Sequence, residues 1–214
     1  MHMILDEIIT PERWSFVFGI PLSAAEYNLR KSSAMANGFV SRFRSFTQYQ
    51  NLVIDIYQAS LEKIIQHYHF DIPVIRQARL ADFREQFKDN NRIIVLFTHW
   101  QNEQIEFADG MHPYQVVAAA VPTGYHGLVD LCVCHPLGLP EAIKARSQDC
   151  FVRYTSTKST VGYWLEFYTV FLQVLVDTPC TYADAISRTL DLMLNSGNAR
   201  PQGEFAHDTA TKDY

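Results

Sequence analysis

The sequence predicts an α/β domain built on a mostly parallel sheet, on the strength of two unbroken apolar runs and the helical periodicity around them. Ile93-Ile94-Val95-Leu96-Phe97-Thr98 and Leu128-Val129-Asp130-Leu131-Cys132-Val133-Cys134 show no in/out alternation. A strand of that kind is covered on both faces, as at the centre of a parallel sheet. Between and around the runs, apolar residues recur every three to four positions, the spacing of amphipathic helices.

Each element is read in chain order. Trp14 to Ile20, ended by Pro21, is a first short strand. From Ser23 to about His69 the pattern is helical: Phe39, Phe43 and Phe46, then Leu52, Ile56, Ala59 and Ile64, are interleaved with Arg42, Arg44, Glu62 and Lys63. One long amphipathic helix is expected from Tyr49 to Tyr68. Ile72 to Ile75 is a second short strand, and Leu80, Phe83 and Phe87 mark a helix that ends near Asp89. Ile105 to Gly110 alternates and closes on a turn signal, as an edge strand or hairpin arm does. Leu139 to Arg146 reads as a short helix and Cys150 to Thr157 as a further strand. Val161 to Val176 is an aromatic-rich helix stopped by Pro179. Thr181 caps a last helix running to Leu194, with Gly197 beyond it. Residues 1–196 therefore form one domain with a helical segment at 23–69, and the polar, aperiodic residues 197–214 are expected to be a disordered tail.

Composition removes several functions. The chain has 214 residues, 48% of them hydrophobic, and a formal charge of −5. A nucleic-acid surface would need clustered Lys and Arg. No stretch reaches the roughly 18 apolar residues of a membrane span, and Met1 to Pro11 lacks the basic flank and apolar core of a secretory signal. A soluble, cytoplasmic protein with no nucleic-acid or membrane partner is expected. None of the nine glycines forms a phosphate-cradling motif. The four cysteines, at 132, 134, 150 and 180, are too few for a disulfide framework. Cys132 and Cys134 share a strand face, but no partner pair stands at zinc spacing, so neither a metal nor a cofactor is expected.

His99 and Cys134 close the two buried strands at their carboxyl ends, where an open parallel sheet presents its ligand crevice. A thiolate is a nucleophile, and an adjacent imidazole lowers its pKa and protonates the leaving amine. The plainer possibility, a core cysteine and a loop histidine, has the same spacing.

The run from Phe97-Thr98-His99 through Ile105 to Gly110 to Leu128 to Cys134, followed by Cys150 to Thr157, Glu166-Phe167-Tyr168 and Ala183 to Leu194, resembles the CHAT family, related to caspases and separase. That family sets a His at the end of one strand and a Cys at the end of the next, with an edge hairpin between them. The resemblance implies a caspase-like three-layer α/β/α fold and a cysteine endopeptidase with His99 as base and acid and Cys134 as nucleophile. It also implies an oxyanion site at the backbone N–H groups of Trp100 and Cys134, and substrate contacts from Tyr154, Thr155, Ser156 and Thr157. A protein or peptide substrate and a regulatory protein partner, in a bacterial defence or programmed-death setting, follow from the same resemblance. Trp100 stands where the family usually has Gly, and His135-Pro136 follow the Cys. These departures leave a second possibility: a silent scaffold of the same fold, with Trp100 and the helix around Trp164 as its partner surface. Cys132, inside its strand, is expected to be buried and inert.

Overall fold

A computed structural model describes residues 8–32, 39–55, 60–89, 92–155, 159–195 and 207–208. Its centre is a sheet of five parallel strands: β1 (Trp14–Phe18), β2 (Val74–Ile75), β3 (Ile93–Phe97), β7 (Leu128–Cys132) and β8 (Phe151–Thr155). The spatial order is β2-β1-β3-β7-β8, and β9 (His207–Asp208) adds an antiparallel edge against Tyr154 and Thr155. The rest of the expected tail, residues 197–206 and 209–214, lies outside the described residues.

Every residue of β1, β3 and β7 is buried, as the unbroken apolar runs require. Alternation divides their side chains between two layers. Trp14, Phe16, Phe18, Ile93, Val95, Phe97, Leu128 and Cys132 enter one core; Val17, Ile94, Leu96, Val129, Leu131 and Val152 enter the other. The first core is closed by α1 (Ala24–Ser32), the 3-10 turn Phe39–Arg42, α2 (Phe46–Tyr49), α3 (Glu62–His67), α7 (Val161–Asp177) and α8 (Tyr182–Asn195). The second is closed by α4 (Leu80–Glu85), α5 (Tyr114–Ala118) and α6 (Leu139–Arg146). The sheet is thus the middle of three layers, and the helical segment at 23–69 supplies half of one outer layer.

Two details differ from the sequence reading. Within the helix expected from Tyr49 to Tyr68, Gln50–Ile54 is wound as a π-helical turn and α3 spans Glu62–His67, while residues 56–59 lie outside the described residues. Val53, Ile54, Leu61 and Ile65 of this stretch enter the first core. The hairpin arm at Ile105 is the middle strand of a separate antiparallel sheet, β4 (Trp100–Gln101), β5 (Gln104–Phe107) and β6 (Gly110–Pro113), inserted between β3 and α5.

That small sheet rests on the end of β1. The Gly19 N–H donates to the Phe97 carbonyl at 2.8 Å, and the Thr98 hydroxyl donates to the Glu106 carbonyl. A Cβ at position 19 would collide with both Glu106 O and Thr98 Oγ1, so only glycine lets the backbones close here. The crevice between β1 and β3, where the strand order reverses, is filled in this way.

Candidate functional site at the ends of the central strands

The β3–β7 register pairs Phe97 with Cys132. His99 and Cys134 each stand two residues further along, beyond the last paired residues of the two strands. The chain of β7 ends at Cys132, so Cys134 lies in the bend beyond it, followed by His135 in the left-handed region at φ 52°. Cys134 is half-buried, whereas Cys132, Cys150 and Cys180 are buried.

The Cys134 thiol donates to the Ser159 carbonyl at 2.6 Å. Ser159 is placed by the start of α7, where the Thr160 side chain accepts the Tyr163 N–H at 3.1 Å and caps the helix. Burial pushes the Cys132 thiol far up, and the nearby Asp130 pushes it the same way, so this residue stays protonated. The Cys150 thiol is pushed up to about 12, chiefly by burial.

His99 is 9% exposed. Its ring lies on that of Phe39, with centroids 4.6 Å apart and planes 23° from parallel. Nε2 is buried and makes no hydrogen bond among the described residues, so it is not bonded to the Cys134 thiol. Burial, helped by the positive charge of Arg42 and opposed by a hydrogen bond with the Gln101 side chain, lowers the imidazole pKa to about 4. The ring is neutral at neutral pH.

The backbone on either side of the ring is fixed. The His99 carbonyl accepts the Glu106 N–H at 2.9 Å, flanking a Trp100–Ile105 pair. In an antiparallel ladder a pair so flanked does not bond to itself, and the Trp100 N–H is left outside the ladder. Trp100 itself is half-buried and rests against Tyr114 with ring centroids 6.1 Å apart. The Glu106 carboxylate is fully buried and accepts from Arg30 Nη1 at 3.1 Å and from the Phe39 N–H at 3.0 Å. Burial raises its pKa, against the pull of both donors.

The remaining expected residues are less closely gathered. Tyr154 is half-buried and Thr155 buried, and both pair with β9, which lies along the β8 edge. Ser156 and Thr157 lie outside the described residues. Trp164, expected on a partner surface, is only 1% exposed and belongs to the core, so that part of the scaffold reading is corrected. The aromatic helix α7 is rich in rings because it covers the sheet. Gln101, beside the expected oxyanion donor, and Ser159, in the loop after β8, lie in segments the sequence had marked for the site; Phe39, Arg42 and Glu106 were not singled out for it. Phe39 and Arg42 come from a distant turn, and only Glu106, a buried carboxylate between Ile105 and Phe107, carried a local signal.

No family model matches the chain, and no curated protein sequence matches it significantly. The site is read from its own chemistry. Among the described residues no group of three His, Cys, Asp or Glu side chains is arranged to hold a metal ion, and no helix is long and apolar enough to cross a membrane.

Proposed function

We propose that the protein is a caspase-like cysteine endopeptidase of the CHAT type, with Cys134 as nucleophile and His99 as general base and acid. The observation that carries this reading is positional: each of the two residues follows, by two positions, the last residue of one of the neighbouring central parallel strands β3 and β7. The strand order, the antiparallel sheet inserted after His99 and the aromatic helix after β8 follow the order of elements the resemblance implies.

In the reaction the Cys134 thiol gives its proton to the His99 imidazole and the sulfur attacks the carbonyl carbon of a peptide bond. The C–N bond breaks, the amine leaves with the proton returned by His99, and the thioester is hydrolysed by water. The N–H of Cys134 and the N–H of Trp100, which the β4–β5 ladder does not use, are the donors for the oxyanion. Tyr154 and Thr155, with Ser156 and Thr157, supply contacts to the peptide. A second reading, a silent scaffold, is favoured by one feature: the imidazole is stacked under Phe39 with a pKa too low for a good base at neutral pH.

A peptide library with Cys134→Ala, His99→Ala and Cys132→Ala variants tests the proposal. Cleavage should fall by roughly a thousandfold or more in the first two, as for removal of a nucleophile or its base. The Cys132 variant should keep most of its activity, with melting curves showing that all three fold. Full activity in Cys134→Ala would exclude the peptidase. Absence of any cleavage, together with no labelling of Cys134 by peptide electrophiles, would leave the scaffold.

A further inference from the structure

A ring nitrogen that is buried, unpaired and covered by another ring is out of place in a side chain that must exchange protons with a substrate. His99 Nε2 is in that position, and one face of the imidazole is covered by the ring of Phe39. Phe39 is itself only half-buried, while the next residue, Val40, is fully buried and anchors the turn in the core. The backbone of the turn is latched from the other side, because the Phe39 N–H donates to the Glu106 carboxylate, held in turn by Arg30 of α1. The Phe39 ring also meets Phe43 and Tyr49 edge-on, at centroid distances of 5.2 and 6.1 Å, so to leave the imidazole with the turn in place it has to exchange these contacts as well. Arg42, exposed at the end of the same turn, sits 5.8 Å from the Phe39 ring centroid on its guanidinium carbon.

We infer that the Phe39 ring is an autoinhibitory cap, which closes His99 in the resting protein and must swing away before the imidazole meets a substrate. This rests on the peptidase reading for its purpose, though not for its geometry. The charged and titratable groups around the stack are Arg42 on the turn, the Glu106–Arg30 pair behind it on β5 and α1, and Tyr49 of α2 against the Phe39 ring; Gln101 on β4 adds a neutral hydrogen-bonding partner. Burial, to which the Phe39 ring contributes, and the charge of Arg42 disfavour the protonated ring. An uncapped imidazole regains water and moves toward the ordinary histidine value, where it is a better base at neutral pH.

The test uses the full chain and its Phe39→Ala and Phe39→Leu variants. Phe39→Leu keeps an apolar side chain over Val40 and so covers the case in which the alanine variant does not fold. The His99 ring resonance, assigned by its loss in His99→Gln, is followed against pH, and the alkylation of Cys134 by a peptide chloromethyl ketone is timed. The inference expects the His99 titration to rise from about 4 toward 6.5 and labelling to speed up several-fold, more in alanine than in leucine. Leu52→Ala, an exposed change in the same helical region, should alter neither. A His99 titration that stays put in folded Phe39 variants overturns the cap, whatever the labelling does. A titration that moves while Cys134 is labelled in none of the proteins upholds the cap and overturns the peptidase reading.

Discussion

Asp130 lies in the middle of β7, wholly out of water, and survives there because three donors converge on one of its oxygens. Arg153 Nε at 2.8 Å, the Tyr182 hydroxyl at 3.0 Å and the Tyr168 hydroxyl all donate to Oδ2. The Arg153 guanidinium is in turn laid on Phe167, 4.6 Å from its centroid, and on Trp164 at 5.1 Å. The group ties β7 and β8 to α7 and α8 beneath the candidate site. Removing one partner strands the other charge, so Asp130→Ala should cost about 3–5 kcal/mol by urea unfolding. The double change Asp130→Leu with Arg153→Met should cost far less than twice that amount, since it removes the stranded charge as well. His99 sets a second expectation at this scale. Its folded pKa, about 4, is below the unfolded value, so the unfolded chain takes up a proton first as pH falls through about 6.5. Stability should then decline between about pH 6.5 and 4, by about 3 kcal/mol relative to His99→Gln, and the difference should stay constant at lower pH. Unfolding both proteins in urea across that range checks the sign. The comparison cancels the opposing contributions of the buried Glu106 and Asp130 carboxyls.

At the scale of elements, the site depends on how three chain ends are tied off. Thr160 caps α7 and so fixes Ser159, the residue whose carbonyl holds the Cys134 thiol. Thr160→Ala should cost about 1 kcal/mol of stability. Because Ser159 then loses its support, the reaction of Cys134 with a small alkylating agent such as iodoacetamide should be faster than in the parent; an unchanged rate would mean that the carbonyl is held by other contacts. The central strands were legible in the sequence because a doubly covered strand is apolar almost throughout: Ile93–Phe97 is so without exception, and Leu128–Cys132 is so apart from Asp130, which Arg153 pairs. The His99 and Cys134 positions followed from the same runs, since both residues stand where the apolar pattern stops. What the pattern did not disclose was contact between distant segments. Phe39 has the same periodicity as Phe43 and Phe46, and nothing local says that its ring, sixty positions away in the chain, lies on an imidazole. The π-helical turn at Gln50–Ile54 was not legible either, because the apolar spacing of Leu52, Val53 and Ile54 does not distinguish it from an ordinary α-helix. The three-stranded insert was visible only as its middle strand, since β4 has two residues and β6, Gly110–Pro113, lacks any apolar alternation.

For the molecule as a whole, the parallel sheet is stable only while both faces are covered, and its first face is covered in two instalments. The segment at 23–69 brings Tyr27, Val40, Tyr49, Ile54 and Leu61 against it, and α7 and α8 bring the rest. Each large apolar side chain so buried is worth roughly 1.5–3 kcal/mol. A protein lacking residues 23–69 should therefore precipitate or bind hydrophobic dyes strongly, even with every residue of the candidate dyad present. The strand order also has a consequence for how the chain is born. β1 is made before the other strands of its sheet, yet its longest pairing is with β3, about eighty residues later, while β2 offers it only Val74 and Ile75. Until β3 has left the ribosome, Trp14, Phe16 and Phe18 have almost no sheet to join. Pairings this distant are slow to form, and bare apolar surface invites aggregation in the interval. The nascent chain thus passes through a stretch of synthesis in which its helical segment has nothing permanent to cover, and its yield in a cell should depend on chaperones that hold that segment until the middle of the sheet arrives.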